Sequence, residues 1–216
     1  MEEFSDLLDA GSSASPRLFE NPLLDKLSRI HHLVPPLVYL PLVLGLLVVS
    51  LRTMSWPTVL LATAAGYVAW TLVEYLGHRF LFHLDLPGPW GKRIHFLIHG
   101  VHHHHPGDPL RLVMPVLLSA PIMAAALLTL RLISDSTLNL ALWAGFILGY
   151  VGYDMVHYHV HHGKHRTWMG KVLRRRHMLH HFRDSTSFFG VSAPWWDRVF
   201  RTEPPAPRLW AKEPPH

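Results

Sequence analysis

The chain contains no cysteine among its 216 residues. Disulfide bonds and thiolate metal ligands are therefore excluded, and any metal must be held by histidine, aspartate or glutamate side chains. Charged residues are scarce as well, because they make up 16% of the chain, whereas soluble globular domains average about 25%. This deficit indicates that lipid forms part of the solvent around the protein.

Features of a secreted or nucleic-acid-binding protein are missing too. The N-terminus is acidic and polar, and it lacks the basic start and apolar stretch of a cleaved signal peptide. The net charge is +5 with histidine neutral, but the basic residues flank apolar segments and do not form a face that would bind nucleic acid. Anionic lipid headgroups or an acidic protein partner are the expected contacts.

The two ends of the chain differ in composition from its middle. Residues 1–16 are expected to be disordered, and residues 203–216 form a proline-rich tail that is expected to be irregular. The length suits one domain, which we place at residues 17–202.

Four apolar segments with almost no charge occupy this domain. They span residues 33–51, 57–76, 114–133 and 138–155. A helix needs about 20 apolar residues to cross a bilayer, so we predict an all-α integral membrane protein with four transmembrane helices. Short connections at residues 52–56 and 134–136 pair the helices as two antiparallel hairpins. Four buried helices of a soluble bundle are the alternative, which the near absence of charge disfavours.

The basic residues predict how the hairpins are oriented. Only Arg52 and Arg131 lie in or beside the two short turns, and the other lysines and arginines lie in the N-terminal stretch, the central loop and the C-terminal region. Because positive residues stay on the cytoplasmic side, both termini and every histidine cluster are predicted to face the cytoplasm. A basic helix expected at residues 168–181 would form part of a helical cap on that face.

Ten of the 19 histidines fall into four compact clusters that follow the apolar segments. The clusters are His78 and His83; His99, His102 and His103; His157 and His161; and His177, His180 and His181. Residues three or four apart share one helix face, so the members of the last three clusters are predicted to converge. His78 and His83 are five apart, about 500° around an ideal helix. They converge only if the helix ends or bends between them; otherwise they serve different parts of the site.

The number and type of these side chains indicate a two-metal site held by a cytoplasmic cap. Neutral imidazole is a good ligand for iron, zinc, copper or nickel, and one metal takes about four to six ligands. Glu74 and Asp154 lie one turn before a cluster and are candidates to accept the second N–H of a metal-bound imidazole. Asp108 is a third candidate, with a simple turn residue as an equally good alternative. The nine other histidines, among them His104 and His105, receive no ligand role.

The spacings HxxxxH, HxxHH, HxxxH and HxxHH resemble those of the membrane-bound fatty acid hydroxylase and sterol desaturase superfamily. More narrowly, the chain is similar to fatty acid 2-hydroxylases. The motifs that carry the resemblance include EYLGHRFLFH at residues 74–83, HMLHHF at residues 177–182 and FGVSAPWWDRVF at residues 189–200. Together they extend the resemblance over about residues 17–202.

The resemblance implies a di-iron centre, with zinc possible in purified protein, that uses molecular oxygen and two external electrons. The substrate would be a long acyl chain, free or within a sphingolipid such as ceramide, hydroxylated at the carbon next to the carbonyl. The family's ten ligands would be the ten clustered histidines. Eukaryotic members often carry an N-terminal cytochrome b5 domain, whereas about 30 residues precede the first span here. A separate cytochrome b5-like or ferredoxin-like donor is therefore expected.

Other enzymes of the same superfamily are alternatives: a sterol-type oxidase or desaturase, a carotenoid hydroxylase, or an alkane hydroxylase. Hydroxylation and desaturation share one type of metal site, so the ligands do not separate them. A histidine-rich metal transporter is the alternative of another class. A transporter would place polar ligands near the middle of the membrane, whereas these clusters gather at one side.

Overall fold

In a computed structural model of the chain, the described residues are 16–84, 86–134 and 136–204, and their regular secondary structure is helical. The α-helices are α1 (Pro22–Leu27), α2 (Val34–Thr53), α3 (Trp56–Leu76), α4 (Gly88–His95), α5 (Val101–His104), α6 (Val116–Ile133), α7 (Leu138–His162), α8 (Trp168–Phe182) and α9 (Trp195–Val199). Two π-helices, π1 (Gly77–Phe82) and π2 (Phe96–Gly100), directly follow α3 and α4. The predicted disorder of residues 1–16 and the predicted irregular tail at residues 203–216 lie almost wholly outside the described residues.

Three of the described helices are long and apolar enough to cross a membrane. They are α2, the continuous helix Trp56–Phe82 formed by α3 and π1, and α6. The described part of the chain is therefore all-helical, and the protein is an integral membrane protein. The fourth predicted segment forms α7, which is 25 residues long and carries the polar side chains Asn139, Asp154 and His157. These side chains are buried, because α7 lies at the centre of the helix packing.

The most extensive helix packing joins α3 and α7, which belong to different predicted hairpins. Glycines make this approach possible. A Cβ atom at Gly66 would overlap the carbonyl oxygen of Leu142, and one at Gly145 would overlap the carbonyl oxygen of Thr63. Small residues allow such backbone approach between helices in lipid, where van der Waals contact rather than the hydrophobic effect drives association.

Aromatic side chains connect α7 to the other long helices. The ring of Tyr150 packs edge-on against Tyr39 of α2 and Trp70 of α3, with centroids 5.4 and 5.2 Å apart. Such pairs contribute about 0.5–1.5 kcal/mol beyond the burial of their area. The Tyr39 hydroxyl also hydrogen-bonds to Ser119 of α6 at 2.8 Å. One region of α7 thus fixes the positions of α2 and α3, and α3 leads directly into the histidine-bearing π1.

The segment before α2 is attached to the end of the molecule that carries the histidines. Asp25 accepts hydrogen bonds from the Leu18 backbone N–H at 2.7 Å and from Arg29 at 2.9 Å. The Leu18 N–H, and to a smaller extent Arg29, lower the pKa of Asp25 to about 2 against the opposing effect of burial. The Asp25 carboxylate also lies 3.3 Å from the guanidinium of Arg111, which follows the second histidine cluster. This network joins α1 to the histidine-bearing end of the bundle.

Candidate metal centre

The helix that begins at Trp56 changes from α to π geometry near its end, and this change brings His78 and His83 together. In a π-helix the backbone N–H bonds to the carbonyl five residues earlier, as in the 3.3 Å bond from His83 to His78. Residues five apart then lie on one face, and the Nε2 atoms of the two imidazoles are 3.3 Å apart. The five-residue spacing requires a departure from an ideal helix, and π1 provides it.

Histidines within one sequence cluster point to two different places. His99 and His103 lie one turn apart and bring their Nε2 atoms to 3.0 Å. His102, between them, instead has its Nε2 atom 3.0 Å from that of His157 on α7. Successive residues on a helix point about 100° apart, so adjacent histidines separate. The prediction that the three members of this cluster converge is therefore wrong, and the same holds for the last cluster, in which His180 separates from His177 and His181.

The ten clustered histidines form two groups of five. The first histidine group consists of His78, His83, His99, His103 and His180. The second histidine group consists of His102, His157, His161, His177 and His181. Within each group, one ring nitrogen of every imidazole lies within 4.8 Å of those of the others. The two groups are adjacent, because the rings of His103 and His181 stack with their centroids 4.3 Å apart.

The distances within each group fit the coordination of a metal ion. Neighbouring Nε2 atoms are 3.0–3.3 Å apart in the first group. They are 2.9–3.1 Å apart in the second group. A metal–nitrogen bond is about 2.1 Å long, so two ligands at a right angle around one metal stand about 3.0 Å apart. Each group therefore presents five nitrogens at separations that suit one metal ion.

Burial keeps these imidazoles neutral. Loss of solvent is the largest influence, and neighbouring imidazoles add to it, so that the pKa of His83 falls to about 3 and that of His103 to about 2. Burial also holds the pKa values of His99 and His102 well below the usual 6.5. Imidazole binds metal in its neutral form, so at neutral pH no proton has to leave before a metal binds.

One loop orients two histidines of the first group. The Nδ1 atom of His78 donates to the carbonyl of Phe189 at 2.7 Å, and that of His180 donates to the carbonyl of Ser187 at 2.6 Å. A carbonyl can only accept, so Nδ1 carries the proton and Nε2 is left to bind a metal. We call residues 187–192 the carbonyl loop.

The second histidine group is supported differently. The buried Nδ1 atoms of His102, His177 and His181 have no hydrogen-bond partner within the described part of the chain. The two groups thus contain equal numbers of imidazoles but differ in how the protein orients the rings.

The three acidic residues predicted from the sequence have distinct surroundings. The buried Glu74 carboxylate accepts a hydrogen bond from the Ser192 N–H at 2.7 Å and another from the Ser192 hydroxyl, so it holds the carbonyl loop. Asp154 is fully buried on α7, one turn before the histidines of that helix. Asp108 lies in the turn after α5 and pairs with Arg111 at 3.5 Å.

A further buried carboxylate, which the sequence did not single out, lies behind the carbonyl loop. Asp197 of α9 is fully buried and accepts the N–H groups of Phe189 at 2.8 Å and Gly190 at 3.1 Å. In the sequence it is an acidic residue in the first turn of a short helix, which is a common arrangement, and no spacing relates it to a histidine. Its link to the site is visible only in the tertiary structure.

A cavity opens beside the first histidine group. Its volume is about 330 Å³, and it is bordered by His83 and His103 of that group and by Lys92, His95 and His104. A small molecule could therefore reach the first group from this side. His104, the neighbour of His103 in the chain, is exposed at this opening and belongs to neither group.

The model of the fatty acid hydroxylase family matches residues 63–202, which contain both histidine groups and the carbonyl loop. The chain belongs to the fatty acid hydroxylase family. This hydroxylase is 37% identical over 190 residues to a dihydroceramide fatty acyl 2-hydroxylase of Arabidopsis thaliana, and the match covers 88% of this chain and 80% of the plant protein.

Animal and fungal relatives are similar to the hydroxylase as well. Identity to the fatty acid 2-hydroxylase of Homo sapiens is 35% over 211 residues, covering 88% of this chain and 57% of the human protein. A solved structure of full-length Scs7p, in which only the hydroxylase domain is visible, superposes with a TM-score of 0.82 at 34% identity. That match covers 87% of this chain and 72% of the other, so the two share the hydroxylase fold.

Proposed function

We propose that this hydroxylase adds one oxygen atom from O2 to the 2-position, next to the carbonyl, of long-chain fatty acids, free or within ceramide. Its relatives include a dihydroceramide fatty acyl 2-hydroxylase and a fatty acid 2-hydroxylase, each similar over 88% of this chain. The observation that carries the proposal is the pair of histidine groups at one end of membrane-length helices. This arrangement suits a metal enzyme whose substrate is a membrane lipid.

We assign one metal ion to each histidine group and infer that the metal is iron. When bound, the two irons supply the activation of O2 that breaking an unactivated C–H bond requires. Zinc fits the same nitrogen ligands but has no redox chemistry, so zinc-loaded protein is expected to be inactive. Glu74, Asp108 and Asp154 would support the centre from outside the ligand set, Glu74 through the carbonyl loop.

The membrane helices would hold the acyl chain, and the histidine-bearing end would meet its carbonyl. Both groups lie where π1, α5, α7 and α8 come together, at one end of the apolar helices. An acyl chain that lies among the spans with its carbonyl end near the metals brings its second carbon closest to them. The distance from the headgroup would then determine which acyl carbon is hydroxylated. The position of the added oxygen along the acyl chain tests this idea directly.

We further infer four membrane spans, with both termini and the histidine groups on the cytoplasmic side. The helix α7 is long enough to cross the bilayer beside the three apolar helices, and its polar side chains are buried. Only Arg52 and Arg131 lie at the opposite turns, and positive residues favour the cytoplasm. The ion pair between Asp25 and Arg111 supports the placement of the N-terminal segment at the histidine-bearing end.

The two electrons would come from a separate acidic protein, cytochrome b5-like or ferredoxin-like. The exposed side chain of Lys92 borders the cavity beside the first histidine group. Complementary charges speed such encounters, and salt weakens them. The donor is therefore expected to dock on this basic side of the hydroxylase.

Lipid mass spectrometry tests the proposed reaction. Cells that supply an electron donor would express the wild-type chain, His180→Ala or, as a matched control, His159→Ala. His180 belongs to the first group, whereas His159 is exposed and belongs to neither group. We expect acyl chains with one added oxygen at the second carbon from the wild-type and His159→Ala proteins, and only background levels from His180→Ala.

Other outcomes would lead to other functions. If the lipids show altered sterols, carotenoids or double bonds and no 2-hydroxy acyl chains, the protein would still be a metal-dependent oxidase. The assignment as a 2-hydroxylase would then be wrong. An unchanged lipid profile in the presence of a donor, together with metal flux into vesicles, would favour a metal transporter. The position of both histidine groups at one end of the helices argues against that transporter.

A further inference from the structure

Asp197 fixes the carbonyl loop through two adjacent backbone N–H groups. One carboxylate oxygen accepts the N–H of Phe189 at 2.8 Å, and the other accepts the N–H of Gly190 at 3.1 Å. The hydroxyl of Thr202 donates to the first oxygen at 2.7 Å. A single, fully buried side chain thus determines the direction of two successive peptide groups.

The same short stretch of backbone carries the two carbonyls that orient His78 and His180. These carbonyls belong to Ser187 and Phe189, and the residue between them, Phe188, has a φ of 58°. A bulky residue rarely adopts this left-handed conformation, and it persists only where the surrounding structure imposes it. The direction of both carbonyls therefore depends on the contacts that hold the loop.

Arg176 of α8 completes the support behind the loop. Its guanidinium lies 3.2 Å from Asp197 and 2.6 Å from Glu203, and 4.8 Å from the centroid of the Phe188 ring. A buried carboxylate without such a partner would be unfavourable. Asp197, Arg176 and the carbonyl loop therefore form one connected unit, and the imidazoles that it orients both belong to the first histidine group.

We propose that Asp197 is a positioning residue that sets the metal affinity of the first histidine group and leaves the second group unaffected. It acts through the carbonyl loop, whose carbonyls fix the ring orientation of His78 and His180. The inference rests on the proposed two-metal centre. Loss of a side chain that orients metal-bound imidazoles typically lowers metal affinity about 10- to 100-fold, and we expect a loss of this size at one metal only.

Metal release from the purified, iron-loaded full chain tests this inference. Wild-type protein is expected to hold two irons, whose release to a chelator is followed over time. Asp197→Asn keeps the shape of the side chain, but only one of its terminal atoms can accept a hydrogen bond and its charge is lost. One iron should then dissociate about 10- to 100-fold faster, while the other keeps its wild-type rate.

Two ligand-deficient backgrounds identify which metal responds. In His103→Ala protein, where the first group is already impaired, Asp197→Asn should leave release of the remaining iron unchanged. In His161→Ala protein, where the second group is impaired, the same substitution should accelerate release of the remaining iron. Such a pair of double mutants separates an effect on one site from a general loss of stability.

Two further variants control for folding. Arg198→Gln removes the charge of the exposed neighbour of Asp197 and leaves Asp197 and Arg176 in place, so both irons should be released at wild-type rates. Thr202→Val removes one hydrogen bond to Asp197 and keeps its carboxylate, so it should accelerate release of the same iron by a smaller factor. If the Asp197→Asn protein does not fold, metal release from the Thr202→Val protein still tests the inference.

Three results would overturn the inference. Equal acceleration of both irons, or an effect that persists in the His103→Ala background, would assign Asp197 to the stability of the whole chain. A wild-type chain that binds fewer than two metals would instead reject the two-metal centre itself, and the inference with it.

Discussion

His103 and His104 are neighbours in the chain, but their surroundings differ. His103 is partly buried and belongs to the first histidine group, whereas His104 is exposed and belongs to neither group. We expect His103→Ala to weaken the binding of one of the two proposed irons by at least about 10-fold, and His104→Ala to bind both as the wild type does. The iron content of each protein after dialysis against graded chelator measures the difference. Equal losses from both variants would contradict the placement of His103 in the first group.

The sequence identifies the ten clustered histidines as a set, but it does not show how they divide. His102 and His103 are adjacent, yet they belong to different groups. Their directions differ by about 100°, and the partner that each meets depends on how α7 and α8 pack against them. Asp197 is missed for the same reason, because its contact with the carbonyl loop is made only when α9 folds back behind that loop.

At the level of helices, the spacing of His78 and His83 predicts a departure from ideal α geometry without saying which one. A helix end, a bend and a π-helix would all bring residues five apart together. The choice depends on the backbone hydrogen bonds at the end of the membrane-spanning helix, where π1 forms. A second π-helix, π2, contains His99 and ends just before His102 and His103, and no spacing in the sequence requires it.

Close packing of α3 on α7 predicts a strong effect of a single methyl group. A Cβ atom at Gly66 would overlap the Leu142 carbonyl, whereas Gly45 of α2 has no atom within 4 Å of the same position. Gly66→Ala should lower the free energy of unfolding by about 1–3 kcal/mol, because the helices must move apart. Gly45→Ala should be neutral or stabilise the helix by up to about 1 kcal/mol. Equilibrium unfolding of the two variants in the same detergent measures the change in the free energy of unfolding of each. Equal losses from Gly66→Ala and Gly45→Ala would show that the close contact at Gly66 does not determine the stability of the helix packing.

For the whole molecule, composition predicts four membrane-length helices but not their arrangement. Hydropathy shows that a segment is apolar, and it does not show which of its faces meets another helix. The central helix α7 is the least uniform of the four, since it buries Asn139 and Asp154, and it packs on α3 from the other predicted hairpin. Its central position shields these polar side chains from lipid. A helix that is less apolar than α2, α3 and α6 can therefore still cross the membrane.

The absence of cysteine makes the topology of the whole chain testable with single engineered thiols. Ser55→Cys and Ser136→Cys place a thiol at the two short turns, and Lys171→Cys places one on α8, at the histidine-bearing end. All three positions are exposed. We expect a membrane-impermeant maleimide to label both turn cysteines in intact cells, and to label Lys171→Cys only after permeabilisation, because the proposed orientation, in which positive residues favour the cytoplasm, places that end inside. Labelling of Ser136→Cys from the same side as Lys171→Cys would mean that α7 does not cross the membrane, and inverted labelling of all three would reverse the orientation.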